Sequence, residues 1–244
     1  MRYSPRPPIS SSTRPCGLSR TQRIALGGLD FIPDLSGALY VPEFDTLIVA
    51  DLHLEKASSI ARRGVHLPPY DTRATLAQLA LAIEASNPRR LIFLGDSFHD
   101  SDAGSRIARE DVETLSALLT DREAIWVIGN HDPVPPANLC TRVAEHVLLG
   151  PVLLRHAPGL LEAGLHEIAG HLHPAAAVAQ RGHSIRCKCF IGDGTRLVMP
   201  AFGSFTGGLS ISAEPFIALF PSGEYAVWML GSRAVHRFPA KRVS

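Results

Sequence analysis

Residues 46–53 read Thr46-Leu47-Ile48-Val49-Ala50-Asp51-Leu52-His53. The stretch 46–50 is a continuous apolar run, as expected of a strand buried on both faces. It ends abruptly in an acid and a histidine. The same event recurs downstream: 91–94 runs into Gly95-Asp96-Ser97-Phe98-His99-Asp100, and 124–128 runs into Gly129-Asn130-His131-Asp132. In open α/β sheets, ligands bind outside the carboxyl ends of the strands. Neighbouring strand ends therefore bring these polar clusters together, although they lie far apart in sequence. Gly95 and Gly129 let the chain turn sharply and let backbone approach the site.

Between these runs the sequence reads as helices. Residues 55–63 form one, closed by Gly64. A second follows Pro68-Pro69, with Asp71 or Thr72 as cap, a stripe of Leu76, Leu79, Ala80 and Ile83, and a stop at Asn87-Pro88. A third spans 105–119, with Val112, Leu115 and Leu119 facing the core. Upstream, 24–31 and 38–41 read as short strands divided by Pro33 and Gly37. The second half changes character. Segments 152–155, 167–169, 185–191, 196–199, 216–220 and 225–230 all read as strands separated by Gly, Pro or Asp turns. The expected layout is α/β, two packed sheets with outer helices, one sheet fed by each half of the chain.

The chain has 244 residues and a formal net charge of +1. That length suits one large or two small domains, and the composition does not demand two, so 24–244 reads as a single domain. Near neutrality argues against holding nucleic acid by bulk electrostatics and leaves a local basic stripe open. No apolar run approaches the roughly 18–20 residues of a membrane span, so no membrane partner is expected. Cys16, Cys140, Cys187 and Cys189 form no disulfide framework, which favours a cytoplasmic location. Cys187 and Cys189 alternate in a strand, 184–191, and read as buried reduced thiols. Residues 1–23 stand apart: Arg2, Arg6, Arg14, Arg20 and Arg23 alternate with proline and serine, and no acid is present. They read as a disordered tail or a misassigned start, with a targeting peptide or a nucleic-acid-contacting arm as alternatives.

The second half adds donors to the strand-end clusters. His156 follows one strand, and Gly170-His171-Leu172-His173 follows another. Asp51, His53, Asp96, Asn130, His156, His171 and His173 thus converge as potential ligands of two divalent metal ions. Asp51 and His53, two apart on extended chain, would point the same way, as would His171 and His173. Asp96 can bridge two ions with its two oxygens. Mixed nitrogen and oxygen donors without thiolate fit Mn, Fe or Zn, and the choice among them stays open. Two such ions outweigh Asp51, Asp96 and a bridging hydroxide by about one positive charge, because Asn130 adds only a neutral amide oxygen. A site of that sign suits a phosphodiester anion. Each motif alone is as readily a turn or a satisfied polar residue; their joint occurrence in order is the signal. His66, His146, His166, His183 and His236 lack such context and read as surface or core histidines.

The ordered motifs Asp-x-His, Gly-Asp, Gly-Asn-His-Asp, a lone His and Gly-His-x-His resemble the calcineurin-like metallophosphoesterase superfamily. The resemblance implies a four-layer αββα sandwich, two mixed sheets flanked by helices, with a two-metal site at the sheet edges. It implies Asp51, His53, Asp96 and His173 around one ion, and Asp96, Asn130, His156 and His171 around the other. It further implies attack on the phosphodiester by a metal-bridging hydroxide. His99, three residues after Asp96, is similar to an extra histidine of the superfamily's double-strand-break-repair nucleases. By that likeness His131 is the general acid, Asp132 orients its ring, and His99 contacts the phosphate or hydroxide; support of a ligand is the other reading of His99. Residues 51–59, 67–72, 95–100 and 199–208 resemble one bacterial branch, the ligase-associated DNA damage response endonucleases, with likeness over 27–237. That branch implies a manganese- or iron-dependent phosphodiesterase acting on DNA, associated with an ATP-dependent DNA ligase, a helicase and an exonuclease-like protein.

The reading carried forward is therefore a metal-dependent phosphodiesterase, a DNA endonuclease in bacterial repair. The alternative is a small-molecule phosphatase, cyclic-nucleotide phosphodiesterase or nucleotide-sugar pyrophosphatase of the same superfamily. A scaffold that has lost catalysis should show eroded ligands, and none of the seven is missing. The 203–208 stretch reads as a loop lining the site or a tight turn. Lys56, Arg62 and Arg63 read as nucleic-acid contacts or a solvated helix face.

Overall fold

The computed structural model describes residues 1–4, 22–65, 70–131, 141–180 and 182–244. The apolar runs do become buried central strands. Thr46–Val49, Arg90–Leu94, Glu123–Val127 and Arg142–Ala144 lie side by side in parallel. The antiparallel strands Leu39–Val41, Leu29–Pro33 and Ile24–Leu26 complete a 7-stranded sheet. A 10-stranded sheet is built from the second half, with one edge strand from the chain start. In it Val152–Arg155, His166–Ala169 and Arg196–Val198 are parallel. The hairpins Pro174–Gln180 with His183–Gly192 and Ala226–Leu230 with Val235–Pro239 extend the same sheet.

Alternation along each strand divides the apolar side chains between layers. Ile48, Ile92, Leu94, Ile125 and Val127 meet Val152, Leu154, Ile168, Phe190 and Leu197 between the sheets. Leu47, Val49, Leu91, Phe93 and Trp126 face outward onto Leu76, Leu79, Ile83 and Leu115 of the helices Asp71–Ser86 and Arg109–Leu119. On the far face of the larger sheet, Cys189, Ile191, Val198 and Val227 pack on Phe216 of the helix Glu214–Leu219. The result is four layers, helix–sheet–sheet–helix, each sheet fed mainly by one half of the chain. No helix among the described residues is long and apolar enough to cross a membrane.

Several local expectations are corrected. Residues 216–220, expected as a strand, lie mostly in the helix Glu214–Leu219, which opens with Pro215 in its first turn. Its apolar residues cannot be told from a buried strand by periodicity over so short a run. Residues 24–31 are a hairpin, because Gly27 and Gly28 both take positive φ and reverse the chain. The helix expected over 105–119 is two pieces, Ala103–Arg106 and Arg109–Leu119. On the middle helix Thr72 and Thr75 share the buried stripe, while Ala80 is only partly covered. The chain start is not wholly apart either: Arg2–Tyr3 pairs with His146–Leu149 as an edge strand. The Tyr3 hydroxyl donates to Glu123 at 2.7 Å, and the Arg90 guanidinium sits 3.8 Å over its ring. Of the cysteines, Cys189 is a buried free thiol and Cys187 a half-buried one; Cys16 and Cys140 lie outside the described residues.

Candidate metal centre

The parallel strands of both sheets end on one edge of the sandwich, and their ladders continue a little beyond the strands. The Asp51 N–H donates to Gly95 O at 3.2 Å, and the His53 N–H to Asp96 O at 2.9 Å. Across the sheets, the Phe202 N–H donates to Ala50 O at 2.8 Å. These bonds join 51–53, 95–96 and 202, while the Gly170 N–H donates to His156 O at 2.9 Å and the N–H groups of His131 and His171 donate to Asp96 and Asp51, bringing 129–131, 156 and 170–173 to the same place.

The side chains form two groups. Asp51, His53 and His173 each offer a donor atom to one point, and Asp96, His156 and His171 to another. In the first group, His173 Nε2 is 3.3 Å from both Asp51 Oδ1 and His53 Nε2. In the second, His156 Nε2 lies 3.3 Å from Asp96 Oδ2 and 3.1 Å from His171 Nδ1. Asn130 Oδ1 joins it, 2.8 Å from His156 Nε2. Asp96 Oδ2 also stands 4.0 Å from His53 Nε2, so this one oxygen looks toward both groups.

The donor chemistry fits cations. Each carboxylate spends one oxygen on backbone: Asp51 Oδ2 accepts the His171 N–H and Asp96 Oδ1 the His131 N–H, both at 2.9 Å. The other oxygens face the imidazoles. Asp51 Oδ1 is buried and has no hydrogen-bond partner, a costly state unless an ion satisfies it. His156 Nδ1 lies 3.2 Å from Leu94 O, which can only accept, so that nitrogen carries the proton. In the neutral ring Nε2 is then a lone pair, aimed at Asn130 Oδ1 and Asp96 Oδ2. Several acceptors pointing at one spot repel unless a positive charge sits among them.

Charge states agree with this picture. Burial, and then the neighbouring His173, push His53 down to about 3, so it is neutral and free to ligate. Burial alone would raise Asp96, but the hydrogen bond and charge of His156 hold it at about 2. Burial lowers His171, with His156 acting the same way. His156 moves oppositely: burial would lower it, yet Asp96 and Asp51 raise it. A proton and a metal ion thus compete for the same point on Nε2.

Backbone geometry departs from one expectation. Asp51, His53, Asp96, His171 and His173 all have positive φ, between 46° and 66°. The paired residues therefore do not point together because of extended-chain alternation; left-handed turns aim them. Gly95 is required beside His156: a Cβ there would fall 2.3 Å from His156 Nδ1.

His99 and His131 stand at the mouth. Their rings stack with centroids 5.5 Å apart. His99 Nδ1 lies 3.2 Å from His53 Nδ1, and His131 Nε2 3.9 Å from Asp96 Oδ2. Burial, and then Lys56 and His131, lower His99. Asp132 lies outside the described residues, as does His66. His146, His183 and His236 are exposed and His166 is half-buried against Gly194 O, all apart from the two groups. Lys188 stands beside the centre as well, and nothing in the sequence marks it: it reads as an ordinary alternating residue of the strand His183–Gly192.

Residues 44–175 match the family model described as calcineurin-like phosphoesterase. Among solved structures, the Pseudomonas putida nuclease MPE is 28% identical over 90% of this chain and 100% of that chain, with a TM-score of 0.69. The phosphoesterase Yfce from E. coli is 15% identical over 79% of this chain and 97% of that one; its TM-score is 0.38. No curated protein matches the chain.

Proposed function

Because the chain belongs to the calcineurin-like phosphoesterase family, we propose that it is a dinuclear metal-dependent phosphodiesterase that cuts DNA. One observation carries the reading: two Asp/His donor groups that share the oxygen Asp96 Oδ2 between them. Asp51, His53, Asp96 and His173 are assigned to one ion, and Asp96, Asn130, His156 and His171 to the other. Manganese is the expected metal, with iron or zinc as the other fits to this donor set. Two divalent ions there would polarise a phosphodiester and lower the pKa of a bound water to about 7.

The chain's own residues then orient and move protons. Asp51 and Asp96 are fixed by backbone N–H groups, so their free oxygens face inward without reorganisation. His131 sits on the solvent side of Asp96 and is assigned as general acid to the leaving oxygen, oriented by Asp132. His99, stacked on His131, is assigned to the phosphate. The structural likeness to a bacterial nuclease supports a nucleic acid as the substrate; DNA is the part of the proposal that the substrate panel tests. The ligase-associated repair branch, with a ligase, a helicase and an exonuclease-like protein as functional associates, is part of the same proposal.

The test is hydrolysis by metal-loaded protein of a panel: phosphomonoester, chromogenic phosphodiester, cyclic nucleotide and plasmid DNA. Nicking of plasmid and cleavage of the chromogenic diester are expected. Activity confined to monoesters or cyclic nucleotides would sink the nuclease reading.

A further inference from the structure

Beside the metal centre, Lys188 lies half-buried on the strand His183–Gly192, among groups that the proposed chemistry does not use. Its Nζ donates to Ala201 O at 2.9 Å, to Gly203 O at 2.8 Å and to Thr206 Oγ1 at 2.8 Å. An ammonium has three hydrogens, so all are taken, and all by one turn. Two residues earlier on the same strand, Arg186 donates to Gly208 O at 2.6 Å and holds the turn's far end.

That turn grips the metal centre by backbone. The Gly203 N–H donates to Asp51 O at 3.2 Å, and the Leu209 N–H donates to His173 O at 2.8 Å. Asp51 and His173 are both members of the first donor group, and both hold left-handed backbone. The approach is tight: a Cβ on Gly203 would fall 2.1 Å from Leu52 O. Among the described residues, no backbone hydrogen bond links 201–209 to Asp96, His156 or His171. We infer that Lys188 is a positioning residue for one metal site, that of Asp51, His53 and His173, acting through the 201–209 turn. Burial and the nearby Lys56 push its ammonium down to about 8, while Asp51 pulls it up, so it neighbours that carboxylate electrostatically as well.

The sign of the expected effect separates positioning from charge. Removing a positive charge near Asp51 would, by electrostatics alone, tighten the binding of a cation. Losing the turn's anchor should weaken it, because residues that orient ligands typically govern metal affinity by about 10- to 100-fold. The inference rests on the two-metal reading, and the experiment keeps the two apart. Metal-stripped full-length protein is titrated with Mn²⁺ by calorimetry, as wild type, Lys188→Met, Thr206→Val and Asp51→Asn. Wild type should take up two ions, and Asp51→Asn marks which step belongs to the first group. Lys188→Met should weaken that step about tenfold or more and leave the other within about twofold. Thr206→Val, which removes one acceptor at nearly constant volume, should shift the same step in the same direction and decides the matter if Lys188→Met does not fold. Unchanged steps, a tightened first step or equal weakening of both would overturn the role of Lys188. Uptake of fewer than two ions by wild type would overturn the two-metal reading and this inference with it.

Discussion

Gly95→Ala, set against Gly28→Ala, isolates the fit between the 95–96 strand end and His156. The two glycines have nearly the same backbone, with φ of +76° and +75°. Alanine in the left-handed region costs roughly 1–2 kcal/mol at either site. Both variants also gain the same small stabilisation from a stiffer unfolded chain, so these terms cancel in the comparison. What differs is the space. Around Gly28 nothing lies within 4 Å of the added carbon, whereas at Gly95 it would sit 2.3, 2.4 and 2.6 Å from His156 Nδ1, Cγ and Cβ. That ring is buried and its Nδ1 is bonded to Leu94 O, so it cannot retreat freely. Displacing it costs about 1–3 kcal/mol as overpacking. The lost Nδ1–Leu94 bond adds about 0.5–1.5 kcal/mol. Gly95→Ala should therefore be about 1.5–4.5 kcal/mol less stable than Gly28→Ala. Equilibrium urea unfolding of the metal-stripped full chains measures this difference directly, and elemental analysis should show metal loss only in Gly95→Ala. Equal unfolding midpoints for the two variants would refute the reasoning.

Further outcomes follow from the same geometry. His131→Ala should keep near-normal metal content while slowing phosphodiester hydrolysis about 10²-fold or more, as for loss of a general acid; metal loss equal to that of Asp51→Ala, by elemental analysis, would contradict the role. For the metal-stripped protein, His53 is neutral down to about 3 when folded but takes a proton near 6.5 when unfolded. Its contribution to stability is complete above 6.5 and is lost as pH falls from there toward 3, by up to about 1.4 kcal/mol per pH unit. His156, whose pKa is raised, works the other way and gains stability on acidification. His53→Gln should therefore lose less stability than wild type between about pH 7 and about pH 5, measured by denaturant unfolding; parallel slopes would contradict the assignment.

Much of this is legible in the sequence because two simple signals coincide. Apolar runs such as 46–50 and 91–94 announced strands covered on both faces, and strand ends in α/β sheets are where polar residues converge. Asp51, His53, Asp96, Asn130, His171 and His173 were found by that rule, and His156 by its place alone. The structure seats His156 against Gly95, Leu94 O and Asn130. What stayed hidden depended on contacts across long sequence separations. The anchorage of Asp51 by Gly203 crosses between the sheets, and Lys188 reads in the sequence as an ordinary alternating residue. The edge strand Arg2–Tyr3 was hidden for a similar reason, since its pairing with His146–Leu149 is set by tertiary contacts and not by propensity.

The left-handed backbone at the ligand positions was also illegible, and it changes how the site is understood. Asp and His are among the residues that tolerate positive φ best, since short polar side chains bond locally. Here the same residue types supply the donor atoms, so one choice of side chain serves both the turn and the ion. Each such residue still costs roughly 1–2 kcal/mol and persists only where its surroundings over-determine it. The surroundings do so: Gly95 O, Asp96 O, Gly203 N and Leu209 N bond the backbones of Asp51, His53 and His173. Strain, metal geometry and the bonds between the sheets are therefore coupled. A substitution at Asp51 or His173 changes a backbone turn as well as a donor atom, and loosening the 201–209 turn reaches the donors without touching them.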